Sequence, residues 1–162
     1  MKKNIKTALS IILIFSLVLI CIFSKGIYYY IKYTIPNKSY FNEQYIEVLH
    51  PMSFEDRKKA NRIMKTIEDA FSYIGNKIEA EKKFQKLNRF CIIGEDAVSE
   101  RHDLKLITAD FKENEGYLWF VYNHMAFNAD NQLVYGSHNI IVRVTLEKTD
   151  DCWTVIETKE HP

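Results

Sequence analysis

The residues of this sequence that are best placed for chemistry form two polar pairs in its C-terminal half. If residues 129–132 make a four-residue hairpin loop, Asn123 lies opposite His138 among apolar neighbours. Apolar pockets with a few convergent polar groups are the usual form of small-ligand sites, and histidine changes charge near neutral pH. The plainer interpretation, which we prefer, is that the two side chains satisfy each other's hydrogen bonds. The ligand pocket that this register would form has four residues: Trp119, Asn123, Met125 and His138.

The second pair, His124 and Ser137, resembles a general base beside a hydroxyl nucleophile. No acidic residue is evidently placed to orient the imidazole, so we predict no catalytic residue and no enzyme. The five histidines have no metal-ligand spacing with one another or with a cysteine, which predicts neither a metal site nor a cofactor. The sequence has no glycine-rich phosphate loop, and its aromatic stretch YLWFVY has no interleaved Lys or Arg, which argues against nucleic-acid binding.

Two cysteines of the C-terminal part leave two interpretations open. Cys91 and Cys152 could form a disulfide if this part faces an oxidising space, but two isolated cysteines are not a disulfide framework. The alternative, which we prefer, is that each is a small, buried apolar residue with a reduced thiol.

The 162-residue chain joins two parts of opposite charge, and its length suits a single domain. Residues 1–36 carry five lysines and no acidic residue, a charge of +5, whereas the rest has 17 basic and 21 acidic residues, a charge of −4. Residues 7–24 are uncharged and mostly Ile, Leu, Val and Phe. At about 1.5 Å per residue, a helix of that length spans roughly 27 Å, close to the hydrocarbon core of a bilayer. We therefore predict a transmembrane helix, with residues 8–33 in contact with lipid.

Basic residues set the predicted orientation of this helix. Lys2, Lys3 and Lys6 precede the apolar stretch, and by the positive-inside rule they keep the N-terminus in the cytoplasm. The tyrosines of residues 27–33 suit the headgroup boundary. A cleaved signal peptide is the alternative. We prefer an uncleaved signal anchor, because Lys25 lies between the two small residues that signal peptidase would need and large aromatic residues follow.

The rest of the chain divides into a connector and a domain. Residues 37–52 predict a short connecting helix that Ser39 caps and that ends before Pro51. Residues 53–162 are predicted to be the extracytoplasmic domain, and residues 1–36 the cytoplasmic tip and anchor.

The domain begins with helical periodicity. An amphipathic helix is predicted to begin after Ser53 and to end at Gly75-Asn76. Its polar side carries the run Arg57-Lys58-Lys59, for which we predict a solvated face, with contact to anionic lipid or nucleic acid as the alternative. A weaker helix covers residues 77–89, and residues 90–93 are either its last turn or a short strand.

The C-terminal half changes to the alternation typical of β-strands. Stretches rich in β-branched and aromatic residues are separated by turn-forming residues, and they predict an antiparallel meander. Helices followed by such a meander predict an α+β fold, with two or three helices packed on a curved sheet of about four strands. The predicted strands are residues 104–111, 117–128, 133–147 and 152–159.

The alternation also predicts the strand register. In the central hairpin, facing residues have numbers that add up to 261, so Trp119 faces Val142 and Met125 faces Gly136. In the last hairpin, a turn at Asp150-Asp151 sets Leu146 against Val155 and Lys148 against Trp153. We predict these pairings because they place the apolar residues on one face of the sheet.

Helices that precede a long, bent sheet, with the strand GYLWFVY and the ending CWTVIETKEHP, resemble the nuclear transport factor 2-like (cystatin-like) superfamily. The resemblance covers roughly residues 53–162 and includes a terminal Trp-x-Val strand at Trp153 and Val155. It implies a cone in which helices close over a curved sheet. The superfamily includes ketosteroid isomerase-like enzymes with an Asp base. Asn123 and His138 have no evident carboxylate beside them, so that precedent does not transfer residue by residue.

The resemblance also bears on function, because some relatives are scaffold subunits of secretion and conjugation machines and small membrane-anchored members are common in bacteria. We predict a single-pass protein of the bacterial cytoplasmic membrane, with its N-terminus inside and a non-catalytic binding or assembly module outside. Its predicted partners are the bilayer and either an envelope protein or a small apolar ligand. The alternative is a small-molecule pocket enzyme, isomerase-like or hydrolase-like, that uses His138 and Asn123. The mildly acidic domain is not expected to bind anionic lipid.

Overall fold

The computed structural model describes residues 2–94, 96–150 and 152–161, with side chains from residue 11 onward. The chain has the predicted α+β fold: an N-terminal apolar helix, three further α-helices and an open, four-stranded antiparallel sheet in the described ranges. The helices are α1 (Lys2–Tyr29), α2 (Lys38–Phe41), α3 (Phe54–Phe71) and α4 (Lys77–Phe84). The strands are β1 (Ile74–Gly75), β2 (Ile92–Ile93), β3 (Ser99–Lys112), β4 (Glu115–Phe127), β5 (Leu133–Thr149) and β6 (Cys152–His161). The side chains of Lys2, Lys3 and Lys6, on which the predicted orientation depends, lie outside the described residues, as does Asp151.

The long amphipathic helix is confirmed as α3. The Ser53 hydroxyl caps it by accepting a hydrogen bond from the Asp56 backbone N–H at 3.0 Å, and the apolar stripe is buried. The helix ends at Phe71, three residues earlier than predicted, because Ile74 and Gly75 pair as a short strand with β2. The buried residues of the stripe are Ala60, Ile63, Met64, Ile67, Ala70 and Phe71.

The second predicted helix is divided. An α-helical part is followed by a 3₁₀ segment, Gln85–Phe90, which begins where Gln85 has a left-handed φ of 50°. Residues 90–93 divide between the two interpretations: Phe90 ends the 3₁₀ segment, and Ile92 and Ile93 form β2, which pairs in parallel with β1. Ile78, which the periodicity includes in the apolar stripe, is 79% exposed.

The predicted connecting helix is also interrupted. The short helix α2 is followed by a 3₁₀ segment, Asn42–Leu49, and Asn42 has a φ of 53° where the two meet. Ser39 is not the cap, because it lies within α2 and Asn37 precedes the helix. Of the four apolar residues that fall at helical spacing here, Phe41 and Val48 are fully buried, whereas Tyr45 and Leu49 are half-buried.

The four-stranded meander and the register of its last hairpin are confirmed, with Leu146 opposite Val155 and Lys148 opposite Trp153. In the central hairpin, the predicted register holds only near the loop, where Met125 faces Gly136. The remainder is wrong: Trp119 faces Arg143 and not Val142.

A β-bulge accounts for this error. Between the pairs Tyr122–Ile140 and His124–Ser137, strand β5 contains one residue more than β4, so the register shifts by one. Asn139 sits in the bulge with a φ of 57°, and its backbone N–H donates a hydrogen bond to Asn123 Oδ1 at 2.8 Å. Asn123 therefore does not face His138.

The bulge separates the apolar residues of the sheet onto two buried faces. The helix face is covered by α3 and the 3₁₀ segment 85–90. The anchor face is covered by the end of α1 and by residues 41–48. Sheet residues on the helix face include Leu118, Phe120, Tyr122, Ile140, Val142 and Val144, and those on the anchor face include Trp119, Val121 and Ile141.

A buried ion pair ties the connector to the anchor face. Arg143 donates from Nε and Nη2 to the two carboxylate oxygens of Glu47, at 2.7 and 2.9 Å. Trp119 Nε1 donates to the same carboxylate at 2.9 Å, and the Trp119 ring packs edge-on against Phe41. Such two-pronged contacts fix geometry as well as charge. They position residues 41–49 on the sheet.

The anchor helix is joined to the sheet without a flexible linker. After Tyr29, the helix continues as a π-helical turn, Tyr30–Thr34, and the Tyr33 hydroxyl donates to Asn139 Oδ1 at 3.1 Å. Lys25 Nζ donates to the backbone carbonyl of Leu106 at 2.8 Å. At Gly26 an added Cβ would lie 3.0 Å from the Val48 carbonyl oxygen, so glycine permits this close approach.

We expect Glu47→Gln to lower the free energy of unfolding by about 3 kcal/mol, because it leaves the buried Arg143 charge unpaired. The measurement is urea unfolding of the full chain in detergent micelles, followed by tryptophan fluorescence. The matched control is Asp69→Asn, which breaks the exposed i,i+4 pair with Lys65 and should cost less than about 0.5 kcal/mol. Equal losses in the two variants would contradict a structural role for the buried pair.

Candidate functional site

A cavity of about 330 Å³ lies where β4 and β5 approach the hairpin loop, on the helix face of the sheet. Its volume is at the lower end of the range for small-ligand pockets. One wall comes from the 3₁₀ segment, β2 and the chain that follows, and the other from the two strands. The lining side chains used below are Arg89, Cys91, Ile93, His124, Val134 and Tyr135.

His124 is the polar side chain at the base of this cavity. It is only 2% exposed, and the Phe71 ring of α3 packs edge-on against its imidazole at 4.9 Å. Its Nε2 is buried without a hydrogen-bond partner in the described part of the chain. A buried polar atom without a partner is uncommon in folded proteins. It gives the cavity a group that a ligand or a water could satisfy.

Two residues of β3 stand beside His124. Glu100 Oε2 lies 3.9 Å from His124 Nε2 and 2.9 Å from His102 Nδ1, and His102 is directly opposite His124 in the strand pairing. The three titratable side chains therefore share one acidic oxygen. Because His102 holds that oxygen at hydrogen-bond distance, His124 is the group left without a bond.

Burial lowers the pKa of His124 below its ordinary value. Glu100 opposes this effect by favouring the imidazolium, and His102 adds to it. A neutral imidazole can donate or accept one hydrogen bond in the cavity. Nearby, burial raises the pKa of the Cys91 thiol to about 11, so Cys91 is a protonated thiol rather than a thiolate nucleophile at neutral pH.

The structure does not bring the four residues of the sequence-predicted pocket together. Trp119 is fully buried on the anchor face, and Asn123 accepts the bond from Asn139. Met125 and His138 are exposed. Asn123 instead lines a separate cavity beside Tyr33 and Lys32, at the end of the anchor helix.

In the second polar pair, the two residues face each other as predicted, but their side chains are not hydrogen-bonded to each other. His124 and Ser137 face each other across β4 and β5, but the Ser137 hydroxyl donates to the Tyr135 hydroxyl at 2.9 Å. Cys91 and Cys152 are both free thiols. Cys91 is half-buried, and Cys152 is exposed on the edge strand β6, so the expectation of two buried cysteines does not describe Cys152.

Sequence reasoning missed Glu100 and His102 because it began the first long strand at residue 104. The stretch Ser-Glu-Arg-His-Asp over residues 99–103 is polar and resembles a loop by composition. Its signal is the alternation of Glu100 and His102, which places both on the face of His124. Tertiary pairing with β4, rather than strand propensity, makes this stretch extended.

Large apolar side chains are exposed at the tip of the β4–β5 hairpin, on both faces of its strands. Leu133 and Met125 lie on either side of Gly136, where an added Cβ would be in ordinary contact with both. Val134 and Tyr135 line the cavity itself, as does Ile93 from the opposite wall. We call these residues the hairpin-tip patch: Ile93, Met125, Leu133, Val134 and Tyr135, each 39–59% exposed.

Comparisons with known proteins identify no family. No family model matches the chain, and no curated protein matches it. Among solved structures, the chain is similar to the association domain of C. elegans CaMKII, with 8% sequence identity and a TM-score of 0.43, over 65% of this chain and 95% of that one. Membership of the superfamily that the sequence resembles therefore stays a prediction.

His124 should make the fold less stable in mild acid. Because the folded protein resists protonating His124, the unfolded chain takes up the proton first as the pH falls below about 6.5. The free energy of unfolding should decrease as the pH falls from 7 to 5, and this decrease should be smaller in His124→Phe. Urea unfolding at each pH measures it. The same pH dependence in both proteins would contradict the assignment. Glu100→Gln removes the charge that favours the imidazolium, so it should make the decrease larger and extend it to lower pH, with the same onset.

Proposed function

We propose that this chain is a single-pass protein of the bacterial cytoplasmic membrane that holds a non-catalytic binding or assembly module outside the cytoplasm. The observation that carries the proposal is the hairpin-tip patch, a group of exposed apolar side chains at the tip of the β4–β5 hairpin and on the facing strand β2. Such patches are a mark of interaction sites. The expected partner is an envelope protein that buries aliphatic side chains there.

The anchor helix supports the membrane part of this proposal. Residues 11–34 form one helix long and apolar enough to cross a bilayer, with a mean hydropathy of 2.4, and none of its most apolar window is buried in the protein. A helix that is apolar all round needs an apolar surrounding. Tyr29 and Tyr33 pack against the sheet, beside the polar Asn139, so we infer that the bilayer boundary lies near Ser24 and Lys25.

The same contacts refine the role proposed for the tyrosines. Tyr28 is exposed and suits the headgroup region, whereas Tyr29 and Tyr33 belong to the core of the anchor face. Cleavage after Gly26 would leave Tyr29 and Tyr33 in the domain but would remove Lys25, whose Nζ donates to the Leu106 carbonyl, and this contact favours an uncleaved anchor. The exported domain would then be attached rigidly to its membrane helix.

A second candidate function has one specific observation in its favour. The unpartnered Nε2 of His124, with Glu100 nearby, would suit a small apolar ligand that carries one hydrogen-bonding group. This site replaces the Asn123 and His138 pair in the pocket-enzyme alternative. Two contacts favour the non-catalytic proposal over it: Ser137 is bonded to Tyr135, and Glu100 is bonded to His102.

A photo-crosslinking amino acid at position 134 should capture a protein partner in intact cells, because Val134 is 47% exposed within the hairpin-tip patch. The matched control is position 65 on the solvated side of α3, which should give little crosslinked product. The yield at position 134 should fall several-fold when Leu133 is changed to Ser, and should persist in His124→Phe. Crosslinking that needs His124 and not Leu133 would favour the small-molecule alternative.

Topology has a separate test. Alkaline phosphatase fused after residue 162 should be active in cells, because that enzyme requires the oxidising space outside the cytoplasm. A green fluorescent protein fused at the same point and exported unfolded should stay dark. The reverse pattern would reject the proposed orientation, and recovery of the fusion in the soluble fraction would reject the anchor.

A further inference from the structure

A cleft of about 360 Å³ lies between the end of the anchor helix and the first turn of α3. Residues of four parts of the chain meet in it: α1, the connector that ends at Met52, Arg57 of α3 and Ile107 of β3. Its lining residues include Ile22, Phe23, Lys25, His50, Met52 and Arg57.

The cleft contains two cations and no counter-ion among the described residues that line it. Lys25 Nζ donates one bond, to the neutral carbonyl of Leu106. The Arg57 side chain makes no hydrogen bond or ion pair within the described part of the chain, and its charge is close enough to repel that of Lys25. Asp56, the nearest acidic residue in sequence, is already engaged by Ser53 and by Lys59 at 3.8 Å.

The remaining walls of the cleft are apolar and continue along the anchor helix. Ile22 and Phe23 precede Lys25 by less than one helical turn, on the side that leads into the proposed bilayer. The cleft thus presents positive charge at the proposed headgroup level and an apolar surface directly below it. This order of charge and apolarity matches that of a phospholipid.

We infer that the cleft binds an anionic phospholipid, with its phosphate between Lys25 and Arg57 and an acyl chain along Ile22 and Phe23. The inference rests on the proposed membrane insertion of α1. It also changes the interpretation of the basic run at the start of α3, since Arg57 faces the cleft while Lys59 pairs with Asp56. The acidic net charge of the domain does not oppose such a site, because binding depends on the two local cations.

The full chain reconstituted in nanodiscs of equal phosphatidylcholine and phosphatidylglycerol provides the test. Native mass spectrometry after release from the disc counts the lipids that stay bound. We expect phosphatidylglycerol to be retained in preference, and Lys25→Gln or Arg57→Gln each to reduce that preference about fivefold, the size expected for one basic residue at an anionic surface. Lys25→Arg should keep it, which separates loss of charge from loss of the bond to Leu106.

The matched control is Lys58→Gln, which removes one charge from the same helix without lining the cleft. An equal loss in Lys58→Gln, or equal retention of both lipids by the unmodified chain, would overturn the lipid site. Displacement of the lipid by inorganic phosphate alone would also overturn it, because the apolar wall would then contribute nothing. Failure of the chain to insert into the nanodisc would instead reject the proposed anchor, so the two failures are distinguishable.

Discussion

The ion pair between Arg143 and Glu47 is the constraint on which the rest of this structure depends. Arg143 lies in the middle of a central strand, on a face that is otherwise filled by apolar residues such as Trp119 and Ile141. Burying its guanidinium there costs free energy unless a carboxylate pairs with it, as Glu47 does through two parallel hydrogen bonds. The connector supplies that carboxylate, so it must cross the anchor face. Since the connector follows the anchor helix directly, the direction in which that helix leaves the domain is fixed by the same contact.

The bulge at Asn139 is the second constraint, because it decides which residues share a face. A register shift of one residue reverses the side of every residue beyond it. Without the shift, Trp119 would share a face with Val142, and Arg143 would lie among the residues under α3. With it, both faces are apolar, and the single sheet separates two cores. His124 lies just beyond the bulge, where β4 and β5 recover their original pairing and the helix face opens into the cavity.

Periodicity was sufficient to predict α3 with its cap, the four-stranded meander and the last hairpin, since each depends on neighbours in sequence. It also included Phe41 and Val48, the two connector residues that are fully buried. It could not predict the bulge, because Asn123 stabilises the left-handed Asn139 from 16 residues away. It also could not pair Glu47 with Arg143, 96 residues apart, nor extend the first long strand to Glu100. The residues predicted to form a pocket therefore lie in the same hairpin as His124 but do not line its cavity.

The contacts between the end of α1 and the sheet determine how the cavity and the hairpin-tip patch are oriented relative to that helix. Lys25, Gly26 and Tyr33 each contact the sheet or the connector, so the C-terminal end of α1 is packed onto the sheet. Under the proposed topology, the cavity and the hairpin-tip patch are held at a fixed height and angle above the bilayer. A partner must then reach the patch close to the membrane surface. Because the patch is already held in place, less conformational entropy is lost when the partner binds. A flexible linker would widen the search for partners, and this fold has none between Lys25 and the sheet in its described residues.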